Sequence, residues 1–336
     1  MSAGKQSCAD IICSMLSVTK TMSSASPSAS ASCDAPHAIP FDSTIINENS
    51  TIKLNDGYAM PIMGLGGGIF STEAEAAFTS AIQLGYRLID TAPKYGESEA
   101  ALGHAVAKSD VPREALFLVS KVGNVGYAAA LDSFKASIAR LRTSYLDLLL
   151  MHSAIYQGAK DQPRSPLHAS SRADTWRAFV ELRRQGRVRS IGVCNHSPRQ
   201  IAKLSPAPAV VQVEFHPLLQ RTETALYCRD NGIALVAYGS GGGGWRLWQK
   251  DASLDLLGSA PLQQAASARG RSAHQVSLRW ALEHGACVIP KAATPAHQAE
   301  NRRLFDFALT PEEHASLAAL DAQRSLYRFR DPDEFA

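Results

Sequence analysis

No apolar run in this 336-residue chain reaches the roughly 18 residues needed to cross a bilayer, and the IICSML stretch at 11–16 is too short for a secretory core. No CxxC spacing occurs among the six cysteines, Cys8, Cys13, Cys33, Cys194, Cys228 and Cys287. Neither a zinc site nor a disulfide framework is therefore indicated, and a reducing, cytoplasmic setting is the expectation. There is also no long block of like charge. The 34 basic and 31 acidic residues leave a net charge of +3 with no basic stripe of the kind that nucleic-acid binders carry. These absences point away from membrane, nucleic-acid and metal partners, and say nothing of oligomeric state.

Arginine is missing from the chain until Arg87, and the first 50 residues hold twelve serines with little periodic apolar content. Such a segment cannot bury enough surface to offset its ordering entropy, so 1–49 reads as a disordered Ser/Ala-rich extension and 50–336 as the folded body. A transit peptide, which would make the protein organellar, is the alternative for 1–49. Serine and alanine suit it; the missing arginine and the four acidic residues before position 50 do not.

The body is 45% hydrophobic over the chain as a whole, enough for one large α/β barrel or two ordinary domains. Eight short runs predict strands: MPIMGLG (60–66), YRLID (86–90), LFLVSK (116–121), YLDLLLMH (145–152), VRSIGVCN (188–195), AVVQVEF (209–215), IALVAY (233–238) and ACVIP (286–290). Helix-like stretches lie between them. TEAEAAFTSAIQLG ends in Gly85 as a C-terminal cap, and in AALDSFKASIARLR Leu131, Phe134, Ile138 and Leu141 recur at helical spacing. Eight βα repeats predict a TIM barrel. A doubly wound sheet would also alternate strands and helices, but GLGGGIF at 64–70 misses the G-x-G-x-x-G spacing of a dinucleotide turn.

A barrel gathers the C-terminal ends of its strands on one face, so residues distant in sequence meet there. Asp90 ends the second strand, Tyr95 lies in the loop beyond, Lys121 ends the third and His152 the fourth. Singly, each reads as a cap, a rim contact or a satisfied surface group. Together on adjacent strands they point to a shared chemical role at one mouth. A phenol can serve as an acid there, since an adjacent ammonium is expected to lower its pKa by roughly one to three units. A carboxylate would hold the ammonium, and a neutral imidazole could donate a hydrogen bond. Lys94, Glu97 and Glu99 are expected to be mostly solvated.

The ordered segments MPIMGLG, LIDTAPKYGESEAALG, VSKVG, LLLMHS, IGVCNHS, VVQVEFHP, AYGS and VIPKAATPAHQAEN resemble those of the aldo-keto reductase family over about residues 50–325. That resemblance implies a (β/α)8 barrel with a C-terminal loop that reduces aldehydes or ketones with NADP(H). It implies a catalytic set of Asp90, Tyr95, Lys121 and His152. It further implies that Asn195 and Gln212 hold the nicotinamide carboxamide, that Tyr238 stacks on the ring, that Ser240 approaches the pyrophosphate, and that Lys291, Thr294, His297, Glu300 and Asn301 face the 2′-phosphate and adenine. His297 stands where the family usually has arginine, Cys194 where it often has serine, and Ser153–Ala154 where it often has Trp-Pro. The substrate mouth is expected to include Phe70, Tyr127, a long loop from Ser153 to Ala173, Trp245, Tyr327 and Phe329. The same fold also includes non-catalytic nicotinamide-binding regulatory subunits, which is the alternative function.

Overall fold

A computed structural model describes residues 46–68, 73–242, 255–326 and 332–335. Residues 1–45 of the extension expected over 1–49, and the expected wall residues Phe70, Trp245, Tyr327 and Phe329, lie outside the described residues. Ile46 is already buried in the core of the body.

Each of the eight runs overlaps a strand of one parallel sheet: β3 (Gly64–Gly66), β4 (Leu88–Asp90), β5 (Phe117–Asn124), β6 (Leu146–Tyr156), β7 (Val188–Cys194), β8 (Val210–Glu214), β9 (Ala234–Tyr238) and β10 (Ala286–Val288), with β5 and β6 running on past the expected ends at 121 and 152. Neighbours in the sheet are neighbours in the chain. The last strand meets the first through a parallel bridge between Met63 and Val288, with Val288 N donating to Ile62 O at 2.9 Å and Gly66 N to Pro290 O at 3.1 Å. The sheet thus closes into a (β/α)8 TIM barrel. Its strands are buried on both faces, which is why LDLLLM on β6 is almost continuously apolar instead of alternating.

An antiparallel hairpin precedes the barrel and was not legible in the sequence: β1 (Thr51–Lys53) pairs with β2 (Ala59–Pro61). The run MPIMGLG therefore serves two elements, its start completing the hairpin and its end opening the barrel.

Helices flank the barrel strands: α1 (Ala74–Gln83), α2 (Ser98–Ala107), α3 (Tyr127–Arg140), α4 (Leu167–Arg184), α5 (Pro198–Ile201), α6 (Thr222–Asp230), α7 (Ala260–Arg269), α8 (Ala273–Glu283), α9 (Pro295–Arg302) and α10 (Pro311–Ala318). Gly85 follows the α1 cap with φ 92°, a left-handed conformation that glycine adopts without a Cβ penalty. On α3 the buried row is Ala130, Phe134 and Ile138, with Leu131 only partly covered. Phe215 stacks on Trp280 of α8 with ring centroids 5.1 Å apart. Among the described residues no helix is long and apolar enough to cross a membrane.

Two expectations need correction. Glu99 is not solvated but fully buried, accepting from Ser120 Oγ at 2.5 Å and Arg140 Nε at 2.7 Å, so it ties α2 to β5 and α3. The segment 153–173 is not one long loop either: β6 runs on to Tyr156 and α4 begins at Leu167. Asn124 holds this region, donating to Ala154 O at 2.8 Å and His168 O at 3.1 Å.

Candidate active site

The barrel brings together Asp90 at the end of β4, Lys121 and His152 within the C-terminal halves of β5 and β6, and Tyr95 on the loop between β4 and α2. Lys121 is 1% exposed. Its ammonium pairs with the Asp90 carboxylate and also donates to Thr91 O at 3.2 Å and to the Tyr95 hydroxyl at 3.3 Å. The Tyr95 hydroxyl lies 3.5 Å from His152 Nε2, and the two rings meet edge to face at 5.6 Å. Because the ammonium is itself a donor, it takes a lone pair of the phenol oxygen and leaves the phenol proton for another acceptor.

Electrostatics sort these groups. Burial alone would lower the Lys121 pKa, but the Asp90 carboxylate and its hydrogen bond, together with Tyr95 and Cys194, outweigh it and hold the ammonium above its ordinary range. Burial, followed by the charges of Lys121 and Lys94, pushes His152 well below the usual imidazole range, so it is neutral at physiological pH. For Tyr95 the expected direction is reversed. Burial pushes the phenol up to about 12, outweighing the downward pull of Lys121, which Asp90 and Cys194 also oppose. The phenol is thus fully protonated at rest.

A second set of side chains closes a ring with the first. Asn195 follows β7 in the left-handed region, φ 57°, a conformation asparagine tolerates better than most residues. From there Nδ2 donates to His152 O at 3.1 Å and to Cys194 Sγ at 3.1 Å, while Oδ1 accepts from Tyr238 OH at 2.7 Å. Burial pushes the Cys194 thiol up to about 12, which keeps it a neutral S–H. That thiol lies 3.7 Å from Gln212 Oε1, and Gln212 Nε2 donates to Asp90 Oδ2 at 2.9 Å. Two amides, a thiol and a phenol thus line the mouth beside the Asp90–Lys121 pair.

The remaining residues expected at a cofactor lie further along the same face. Thr294 caps α9, its Oγ1 accepting from His297 N at 3.3 Å, which leaves the hydroxyl proton to donate elsewhere. Lys291 and His297 are exposed beside this helix start, where backbone dipoles favour an anion. Glu300 accepts from Ser272 Oγ at 2.6 Å, and Asn301 is buried. Ser240 is buried, its hydroxyl donating back to Ala237 O at 3.2 Å and its carbonyl accepting from Ser277 Oγ at 2.5 Å. His274 was missed in the sequence reading: its Nδ1 lies 2.6 Å from Gly241 O, and its ring fills the space a Cβ at Gly241 would need. This contact accounts for at least one of the consecutive glycines after Ser240. The donor set fits a nicotinamide dinucleotide, with amides for a carboxamide at one end and two basic side chains at a helix start for a phosphate at the other.

Comparison with known proteins gives the same picture. The profile described as the aldo/keto reductase family matches residues 60–322. The chain is 36% identical over 293 residues to an aldo-keto reductase of Mycobacterium sp. (strain MCS), an alignment covering 85% of this chain and 95% of that protein. It is 38% identical over 281 residues to the glyoxal reductase of Bacillus subtilis (strain 168), covering 81% and 92%. Among solved structures, an aldo-keto reductase enzyme from a Medee basin deep-sea metagenome library superposes with a TM-score of 0.74 at 32% identity, covering 84% of this chain and 98% of that one. With a closed eight-stranded barrel and sequence similarity running through nearly all of the described body, the chain belongs to the aldo/keto reductase family.

Proposed function

We propose that the chain reduces the carbonyl of a small aldehyde or ketone to an alcohol, with NADPH as hydride donor and Tyr95 as general acid. The observation that carries this reading is the Tyr95 hydroxyl, set between Lys121 Nζ at 3.3 Å and His152 Nε2 at 3.5 Å. A reduced nicotinamide supplies the hydride that forms the new C–H bond at the carbonyl carbon. Tyr95 delivers its O–H proton to the carbonyl oxygen, and Lys121 stabilises the phenolate left behind until solvent returns the proton. The high resting pKa of the phenol, about 12, means that the acid is loaded throughout the physiological range. Neutral His152 donates a ring N–H to the same oxygen and sets its angle to the hydride. Asn195 and Gln212 orient the carboxamide, and Tyr238 covers one ring face.

The named activity of the Bacillus subtilis relative makes glyoxal the first member of a substrate panel. Disappearance of the near-ultraviolet absorbance of the reduced nicotinamide, followed with aldehydes and ketones and with both NADPH and NADH, tests the reading. Tight NADPH binding without turnover on any carbonyl would favour the non-catalytic regulatory subunit instead.

Cofactor choice follows from Lys291, Thr294 and His297, with Glu300 and Asn301 toward the adenine. NADPH is expected to bind more tightly than NADH, through Lys291 and the α9 start. An arginine at 297 offers a permanently charged fork where an imidazole offers one donor at a time. His297→Arg is therefore expected to strengthen NADPH binding by roughly tenfold and leave NADH binding nearly unchanged. Dissociation constants from fluorescence titration decide it, and equal gains for both cofactors would remove position 297 from phosphate recognition.

A further inference from the structure

Gln212 faces two ways. Its Oε1 lies 3.7 Å from the Cys194 thiol, and its Nε2 donates to Asp90 Oδ2 at 2.9 Å. The amide orientation is fixed by chemistry: a flip would set Oε1 against the Asp90 carboxylate, two acceptors facing each other in a site where Asp90 and Gln212 are each 3% exposed. With Oδ2 occupied by the amide, Asp90 turns Oδ1 to Lys121, and Lys121 in turn reaches the Tyr95 hydroxyl. The amide keeps a second N–H and further lone pairs on Oε1, so the contact with Asp90 does not use up its capacity for a carboxamide.

We propose that Gln212 is a positioning residue for the acid: through its hydrogen bond to Asp90 it fixes the carboxylate that holds Lys121 against Tyr95. One side chain then links the nicotinamide end of the site to the proton-donating end. This rests on the reading of the chain as a carbonyl reductase with Tyr95 as acid. The charged and titratable groups around the link are Asp90 on β4, Tyr95 on the loop after it, Lys121 on β5, His152 on β6, Cys194 on β7, Glu214 on β8 and Tyr238 on β9.

The test compares kcat against pH at saturating NADPH for the wild type, Gln212→Met and Gln212→Glu, together with NADPH dissociation constants. Methionine keeps the volume and removes the donor, so kcat near neutrality is expected to fall roughly tenfold, the scale of losing a hydrogen bond to a charged group. Glutamate restores a donor only while its carboxyl and that of Asp90 share a proton. Its kcat is therefore expected to approach the wild-type value at low pH and to fall toward that of the methionine variant as pH rises. A residue that merely clamps the cofactor would weaken NADPH binding and leave the shape of the kcat profile unchanged, which would overturn the proposal.

An arm independent of turnover is the double-mutant cycle in chemical unfolding between Gln212→Met and Asp90→Asn. Coupling is expected, the double variant losing clearly less stability than the two single losses added together, because asparagine removes the stranded charge. Strict additivity would overturn the contact itself. If the wild type turns over no carbonyl, the functional reading fails, and the unfolding cycle alone decides whether Gln212 positions Asp90.

Discussion

Tyr95→Phe is expected to lower turnover at least 10²-fold, the scale of losing a general acid, while NADPH still binds. The phenylalanine keeps the ring that meets His152 edge to face at 5.6 Å and removes only the hydroxyl beside Lys121. The fold should be unaffected, because the Lys121 ammonium keeps the Asp90 carboxylate and Thr91 O as acceptors. Single-turnover kinetics with a reactive aldehyde, alongside fluorescence titration with NADPH, separate chemistry from binding. A variant retaining more than half of the wild-type rate would remove Tyr95 from the acid role.

Lys121→Met is expected to damage both stability and activity. Lys121 and Asp90 are 1% and 3% exposed, so removing the ammonium strands a carboxylate in the barrel. Breaking one side of a buried pair typically costs about 3–5 kcal/mol, although replacing both partners costs far less. Urea unfolding should show such a loss for Lys121→Met and recovery of more than half of it in the double variant with Asp90→Asn. Turnover should fall roughly 10²-fold in the single variant and stay low in the double, because neither returns a positive charge to the Tyr95 oxygen. Recovery of activity along with stability would show that the lysine serves only to neutralise Asp90.

The barrel was legible because each strand falls in a short apolar run, several of them closed by a polar residue, and because runs such as LDLLLM contain too few polar positions for a half-exposed sheet. The hairpin of β1 and β2 was not, because three-residue strands with only Ile52 and Met60 turned inward carry too little pattern to detect. Glu99 misled for a related reason. Its sequence neighbours Glu97 and Ala100 suggest an exposed first turn, and its partners Ser120 and Arg140 come from two other elements. The convergence of Asp90, Tyr95, Lys121 and His152 follows from their places toward the C-terminal side of adjacent strands and on the loop after β4. The direction of the Tyr95 shift does not, because it depends on a contest between burial and charge that the order of residues leaves undecided. The link from Gln212 to Asp90 was equally hidden, since it crosses the barrel mouth from β8 to β4.

Closure of the barrel through Met63 and Val288 has a consequence for how the chain reaches its folded state. The two edges that meet there are made from opposite ends of the described body, so a nascent chain holds an open sheet until β10 emerges. Loop-closure entropy is not the obstacle, since each doubling of loop length adds only about 0.6 kcal/mol. The hazard is kinetic. Until Ala286–Val288 docks, β3 and β9 both present unpaired backbone groups that another unfinished chain can pair with. A truncation just before β10 would therefore produce aggregation rather than a folded barrel with a weakened cofactor site.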